Sequence, residues 1–138
     1  YKISGSAFLG ETHRKTPDIK LVRKYEKGKK RTIKINPGDF YLATTIEKVN
    51  TPKNLTINFK PRTTTFRSGL ILRTGNVAPG YCGKLTFAIK NEGPIIVEIE
   101  MGARIVHAQF EEVKGGGSMY RGQWQGGRVS ATKKEKQV

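Results

Sequence analysis

The sequence predicts an all-β fold, a sandwich or a barrel, and three observations carry that prediction. From Arg31 onward, short runs of β-branched and aromatic residues recur at near-regular intervals. Gly/Pro/Asn-rich turn signals separate them, and no stretch of twelve or more residues shows helical apolar spacing.

Taken in order, 31-RTIKI-35 alternates and is closed by the turn 36-NPGD-39. The β-rich run 40-FYLATTI-46 follows, then the turn 51-TPKN-54 and the run 55-LTINF-59. The segment 63-TTTFRSG-69 is the one place where a short helix is expected. Beyond it, 69-GLIL-72 leads to the turns 73-RTGN-76 and 78-APGY-81, and 84-KLTFAIK-90 to 91-NEGP-94. The runs 95-IIVEIEM-101 and 104-RIVHAQF-110 complete the pattern before 114-KGGGS-118 breaks it. Regular strands and turns of this kind fit sandwiches and barrels. One domain is expected, a β unit over 1–114 with a flexible arm over 115–138, because 138 residues close a single core.

Lys and Arg number 26 against 11 Asp and Glu, giving +15, so the surface attracts polyanions. Much of that charge sits in 20-KLVRKYEKGKKR-31, which reads as a solvated hairpin, and in 133-KKEKQV-138, which reads as a frayed terminus. The single Cys82 excludes an internal disulfide and fits a reducing cytoplasm. No apolar run reaches the roughly 18 residues of a membrane span, and no signal-peptide pattern opens the chain, so a soluble protein without a membrane partner is expected.

Two histidines, His13 and His107, and one cysteine share no ligand-like spacing, so no protein-held metal is expected. Cys82, between Tyr81 and Gly83, has no local cue for an activated thiolate. The segment 60-KPRTTTFRSG-69 is more informative, crowding Lys60, Arg62, Arg67 and three threonines into one turn. Guanidinium forks and hydroxyl donors match the dispersed oxygens of a polyphosphate. The arm 119-MYRGQWQGGRVS-130, with its tryptophan, tyrosine and arginines among glycines, reads as a lid for a planar phosphorylated ligand.

Together with 75-GNVAPGYCG-83, these stretches resemble the dUTPase and dCTP deaminase superfamily from about Asn36 to Ser130. The stretch 37-PGDFYLATTIEKVNTPKNL-55 is similar to the strand by which the family approaches its phosphate loop, and 61-PRTT-64 with 67-RSG-69 to that phosphate loop itself. The turn with Asn91, 102-GARIVHAQF-110 and 120-YRGQWQGGRVS-130 follow in the family's order. The resemblance implies a distorted jelly-roll β-barrel, a homotrimer with sites between subunits, and a deoxynucleoside triphosphate, dUTP or a close relative, bearing Mg²⁺ on its phosphates. Carried over, Arg62, Thr63 and Thr64 would hold phosphates, with Arg67 near the reacting centre. Gly75 and Tyr81 would form the floor under the sugar, and backbone groups from Leu85 to Ala88 would read the base. His107 would donate to a phosphate or pair within a strand, and Tyr120, Trp124 and Gln125 would close over the ligand.

Two departures set the functional question. Ala78 stands where dUTPases carry the water-activating aspartate, and Ala88 where deaminases carry the proton-shuttling glutamate. A methyl group accepts no proton, and general-base assistance contributes about 10²–10⁴-fold. dUTP hydrolysis to dUMP and pyrophosphate is therefore the leading expectation, with Ala78 as the lost general base. An apolar residue at position 88 favours hydrolysis over dCTP deamination. A non-catalytic nucleotide-binding protein is the alternative, and a nucleic-acid-binding β-domain ranks last. The family's first motif would belong upstream of Tyr1.

Overall fold

A computed structural model describes residues 1–115 and 118–131 and the backbone of 135–136. The described residues form a jelly-roll-like, nearly all-β architecture with one short helix. Its centre is β9 (Cys82–Asn91), paired antiparallel with β6 (Phe40–Asn50) on one side and β8 (Leu70–Arg73) on the other. Along β9, Gly83, Leu85, Phe87, Ile89 and Asn91 are buried while Cys82, Lys84 and Lys90 are exposed, the period of two that the sequence shows. Leu85 and Phe87 enter one core cluster with Ile57, Val77 and Tyr81; Ile89 enters a second with Ile35, Tyr41 and Leu70.

Two antiparallel ribbons pack around this sheet. β7 (Leu55–Pro61) pairs with β11 (Val106–Glu112), and β5 (Thr32–Ile35) with β10 (Val97–Glu100). Helix α1 (Thr63–Arg67) leaves β7 where the helix is expected. It is tied to the neck of β11 by Arg62 N–H and the buried Thr65 Oγ1, both donating to Ile105 O at 3.0 and 3.1 Å.

The N-terminal thirty residues carry strands that the sequence reading did not place. β1 (Lys2–Ser4) pairs with β4 (Asp18–Lys20), and β3 (His13–Lys15) with β2 (Phe8–Leu9) and with β12 (Glu135–Lys136). These strands have two or three residues, too few for periodicity to reveal. The basic stretch 20–31 is not a hairpin: Lys20 ends β4, and 21–31 run as a strandless loop to β5. β10 starts at Val97 rather than at residue 95, because Asn91 Nδ2 takes Ile95 O at 2.8 Å and bends 92–96 away from the ladder. β11 starts at Val106 and continues to Glu112, since its pairing with β7 runs on to Leu55. Gly116 and Gly117 of the expected flexible run, and 133–134 and 137–138 of the expected frayed tail, lie outside the described residues. No described helix is long and apolar enough to cross a membrane.

Candidate functional site

The turn 75-GNVAPGYCG-83 is held by one threonine. Thr51, 5% exposed, accepts Tyr81 N–H on its Oγ1 at 2.9 Å, and that hydroxyl stands 2.8 Å from Ala78 O. Its backbone N–H donates to Tyr81 O at 2.9 Å, and its carbonyl accepts Gly80 N–H at 2.9 Å. Val77 bridges to Ile57, exchanging both backbone hydrogen bonds at 2.9 and 3.0 Å. The turn is therefore fixed from behind, and Ala78 is presented forward, half-buried.

In front of it lies a cleft of about 510 Å³, within the usual range for small-molecule sites. Gly75, Asn76, Val77, Ala78 and Tyr81 form its floor, and Leu85, Thr86 and Phe87 of β9 one wall. Phe40, Leu42, Phe59 and the N-terminal Ile3, Thr16 and Pro17 complete the protein side. The arm supplies the cover, with Tyr120, Trp124, Arg128 and Val129. Arg128 is the single charged side chain in this lining, and among the described residues no carboxylate or imidazole joins it. Nor do any three His, Cys, Asp or Glu among the described residues stand close enough to hold a metal ion.

Tyr81 is buried at the floor, and its phenol donates to Lys84 O. Burial is the main cause that pushes this phenol above the ordinary tyrosine value; Tyr120 and Cys82 add to it, and Gly127 N–H opposes it. On β9 the Leu85 amide is already satisfied by Thr45 Oγ1 at 3.0 Å, where the β6–β9 register shifts between Thr44 and Lys48. Of the 85–88 backbone expected to read a base, that N–H is therefore spent. Ala88 pairs with Leu42 and Arg73 in mid-sheet and does not line the cleft, whereas Ala78 does.

The arm docks on β9 through glycines. Gly126 N–H donates to Cys82 O at 2.8 Å; Gln125 Oε1 accepts Cys82 N–H, and its Nε2 donates to Gly80 O, each at 3.0 Å. A Cβ on Gly83 would lie 2.5 Å from Gly127 N, and one on Gly127 2.6 Å from Lys84 N, so the two backbones meet only without side chains. Tyr120 N–H donates to Pro79 O at 2.8 Å, and the Tyr120 ring meets Tyr81 edge-on at 5.3 Å. Ser130 and Ala131 end the segment on Thr16.

The expected phosphate residues lie elsewhere on the same chain. Arg62, Thr63, Thr64 and Arg67 occupy α1 and its leading residue, outside the cleft lining, with Thr63, Thr64 and Arg67 exposed. His107 sits opposite Lys60 in the β11–β7 ladder, also outside the lining and exposed. Gly75, Ala78, Tyr81, Leu85, Tyr120 and Trp124 are brought together, and Gln125 pins the arm beside them. The sequence reading missed Thr51, Thr45 and the N-terminal wall; of the arm's two arginines, which it read together, Arg128 is the one that lines the cleft. Thr51 and Thr45 act through partners 30 and 40 positions away, and no local pattern signals that.

A family model described as dCTP deaminase-like matches residues 2–113. The chain belongs to the dCTP deaminase-like family. A dUMP-forming dCTP deaminase of Dictyoglomus turgidum is 32% identical over 112 residues, covering 80% of this chain and 57% of that protein. A dCTP deaminase of Pyrococcus furiosus is 31% identical over 120 residues, covering 86% and 75%. A probable deoxyuridine 5′-triphosphate nucleotidohydrolase of Methanothermobacter thermautotrophicus is 33% identical over 92 residues, covering 67% and 61%. The chain thus spans little more than half of the Dictyoglomus relative's length. The family match ends at residue 113, so the arm that roofs the cleft lies beyond it.

Proposed function

We propose that this chain binds a pyrimidine deoxynucleoside triphosphate of the dUTP type in the cleft over Tyr81 and, as written, does not turn it over. The observation that carries this reading is the lining itself. It has apolar walls, an aromatic floor and cover, one arginine, and a methyl group at position 78 where proton abstraction would need a carboxylate. Arg62, Thr63, Thr64 and Arg67 hold the phosphates in this reading, with Arg67 placed nearest the reacting phosphorus and His107 as a further donor. They come from a neighbouring subunit of a homotrimer, because they lie outside the lining of their own cleft. Mg²⁺ arrives on the triphosphate, and a cationic, hydroxyl-bearing donor set suits the phosphates rather than the ion.

A second reading, dUTP diphosphatase, is favoured over deamination by one observation: of the two alanines at lost general-base positions, only Ala78 faces the cleft. Calorimetry against dUTP, dCTP and UTP with Mg²⁺, followed by separation of products, tests both. Deoxynucleotide binding without product is the expected result, with pyrophosphate appearing in Ala78→Asp. Release of dUMP by the unaltered chain would move the assignment to the second reading, and failure to bind any of the three would overturn both.

A further inference from the structure

The positive charge of this molecule is concentrated. Between Lys20 and Arg31, seven of twelve residues are Lys or Arg and one, Glu26, is acidic. Glu26 pairs with two of the seven, at 2.6 Å from Lys29 Nζ and 2.8 Å from Arg31 Nη2, and offsets one of their two charges. Lys20, Arg23, Lys24, Lys27 and Lys30 have no ion pair among the described residues. Lys20 also stands opposite Lys2 in the β1–β4 ladder, where the Lys2 ammonium lies over the Tyr41 ring, 5.5 Å from its centre.

The loop is held in place. Met101 N–H donates to Arg31 O at 2.8 Å, and Lys29 N–H closes the tip turn onto Glu26 O at 3.1 Å. The Tyr25 ring lies over Gly102, where a Cβ would come within 3.1 Å of it. At the tip, no atom stands within 4 Å of the Cβ position of Gly28, so the cations there face open solvent. No residue of 20–31 lines the cleft over Tyr81, so the nucleotide reading does not use this charge.

We propose that loop 20–31 is a docking surface for the phosphodiester backbone of a nucleic acid, gripped by charge without base readout. A cluster of exposed cations without ion-pair partners among the described residues is complementary to a run of phosphates, and binding would release the counterions condensed on those phosphates. A bilayer is the poorer fit, because the tip 26-EKGKK-30 has no apolar side chain to insert and Leu21 and Val22 sit at its root.

Anisotropy of a labelled DNA duplex of about 20 base pairs, titrated between about 50 and 200 mM salt, reads the proposal. Five unpaired cations predict a log–log salt slope of about −4 to −5. The quadruple variant Arg23→Gln, Lys24→Gln, Lys27→Gln, Lys30→Gln should make that slope shallower by roughly 3 to 4 and weaken low-salt binding at least about tenfold. A control of equal net charge, Lys53→Gln, Arg73→Gln, Lys90→Gln, Lys114→Gln, should keep most of the slope; all eight positions are exposed, and circular dichroism checks both folds. Equal losses in the two variants, absence of salt-dependent DNA binding, or binding to phosphatidylserine vesicles in place of DNA would each overturn it. None of these outcomes depends on the cleft, whose nucleotide binding is measured separately.

Discussion

Tyr81 does most at the scale of single residues. Its backbone is locked to Thr51, its ring meets Tyr120, and its hydroxyl donates to Lys84 O beneath the arm. Because its folded pKa is raised, its contribution to stability is complete below the unfolded value of about 10 and lost as pH climbs through the folded value. Melting temperature should therefore fall above about pH 10, and Tyr81→Phe should flatten part of that alkaline fall while costing about 1 kcal/mol at neutral pH. Asn91, with no exposed surface, donates to Ile35 O and Ile95 O and accepts Gly93 N–H. Asn91→Ala should cost about 2–4 kcal/mol in urea unfolding, since it orphans buried backbone partners. Tyr81 was legible from its turn. The structural task of Asn91 was not, because its donors reach a carbonyl 56 positions back along the chain.

Among the elements, the arm decides whether the cleft is a pocket or a shelf. Its glycines were legible as a lid signal, but the surface it closes on was not: β9 offers Cys82 and Lys84 to it only because Gly83 has no side chain. Gly83→Ala should lift the arm off. The readouts are faster proteolysis within 118–131 and a red-shifted emission of Trp124, the only tryptophan, together with a lowered melting temperature, because Gly83 is buried in β9 at φ +149°, a conformation strained for alanine. In α1 the three threonines read alike in the sequence, yet Thr65 is spent on Ile105 O, while Thr63 and Thr64 stay exposed, as the proposed phosphate role requires. Thr65→Ala is thus expected to weaken the fold by about 1 kcal/mol, and Thr64→Ala to leave it unchanged and act on nucleotide affinity alone.

For the whole molecule, one chain carries the cleft over Tyr81 and, outside its lining, the helix α1 to which the proposed reading assigns the phosphates, and the proposed homotrimer joins them. Phe66 on α1 is 50% exposed and Phe110 on β11 is 63% exposed, apolar surface that the proposed assembly would cover with a second copy. Light scattering on a sizing column should return three times the 15.4 kDa chain mass. Arg62→Ala and Ala78→Phe should each abolish nucleotide binding, and co-refolding them in equal amounts should restore about a quarter of the sites, those combining two intact halves. No restoration from a mixed trimer would place both halves of each site on one subunit.

The chain's pattern of short β runs and turns, its basic excess, its family motifs and the alanines at positions 78 and 88 were all determined by the sequence, because each is a matter of residue type at short spacing. Tertiary structure alone decided that Ala78 faces the cleft and Ala88 does not, that Thr51 and Thr45 satisfy backbone groups of the turn and of β9, and that α1 stands outside the cleft lining. The reason is physical: which side of a strand borders a cavity, and which hydrogen bonds are already satisfied, depends on partners tens of residues away.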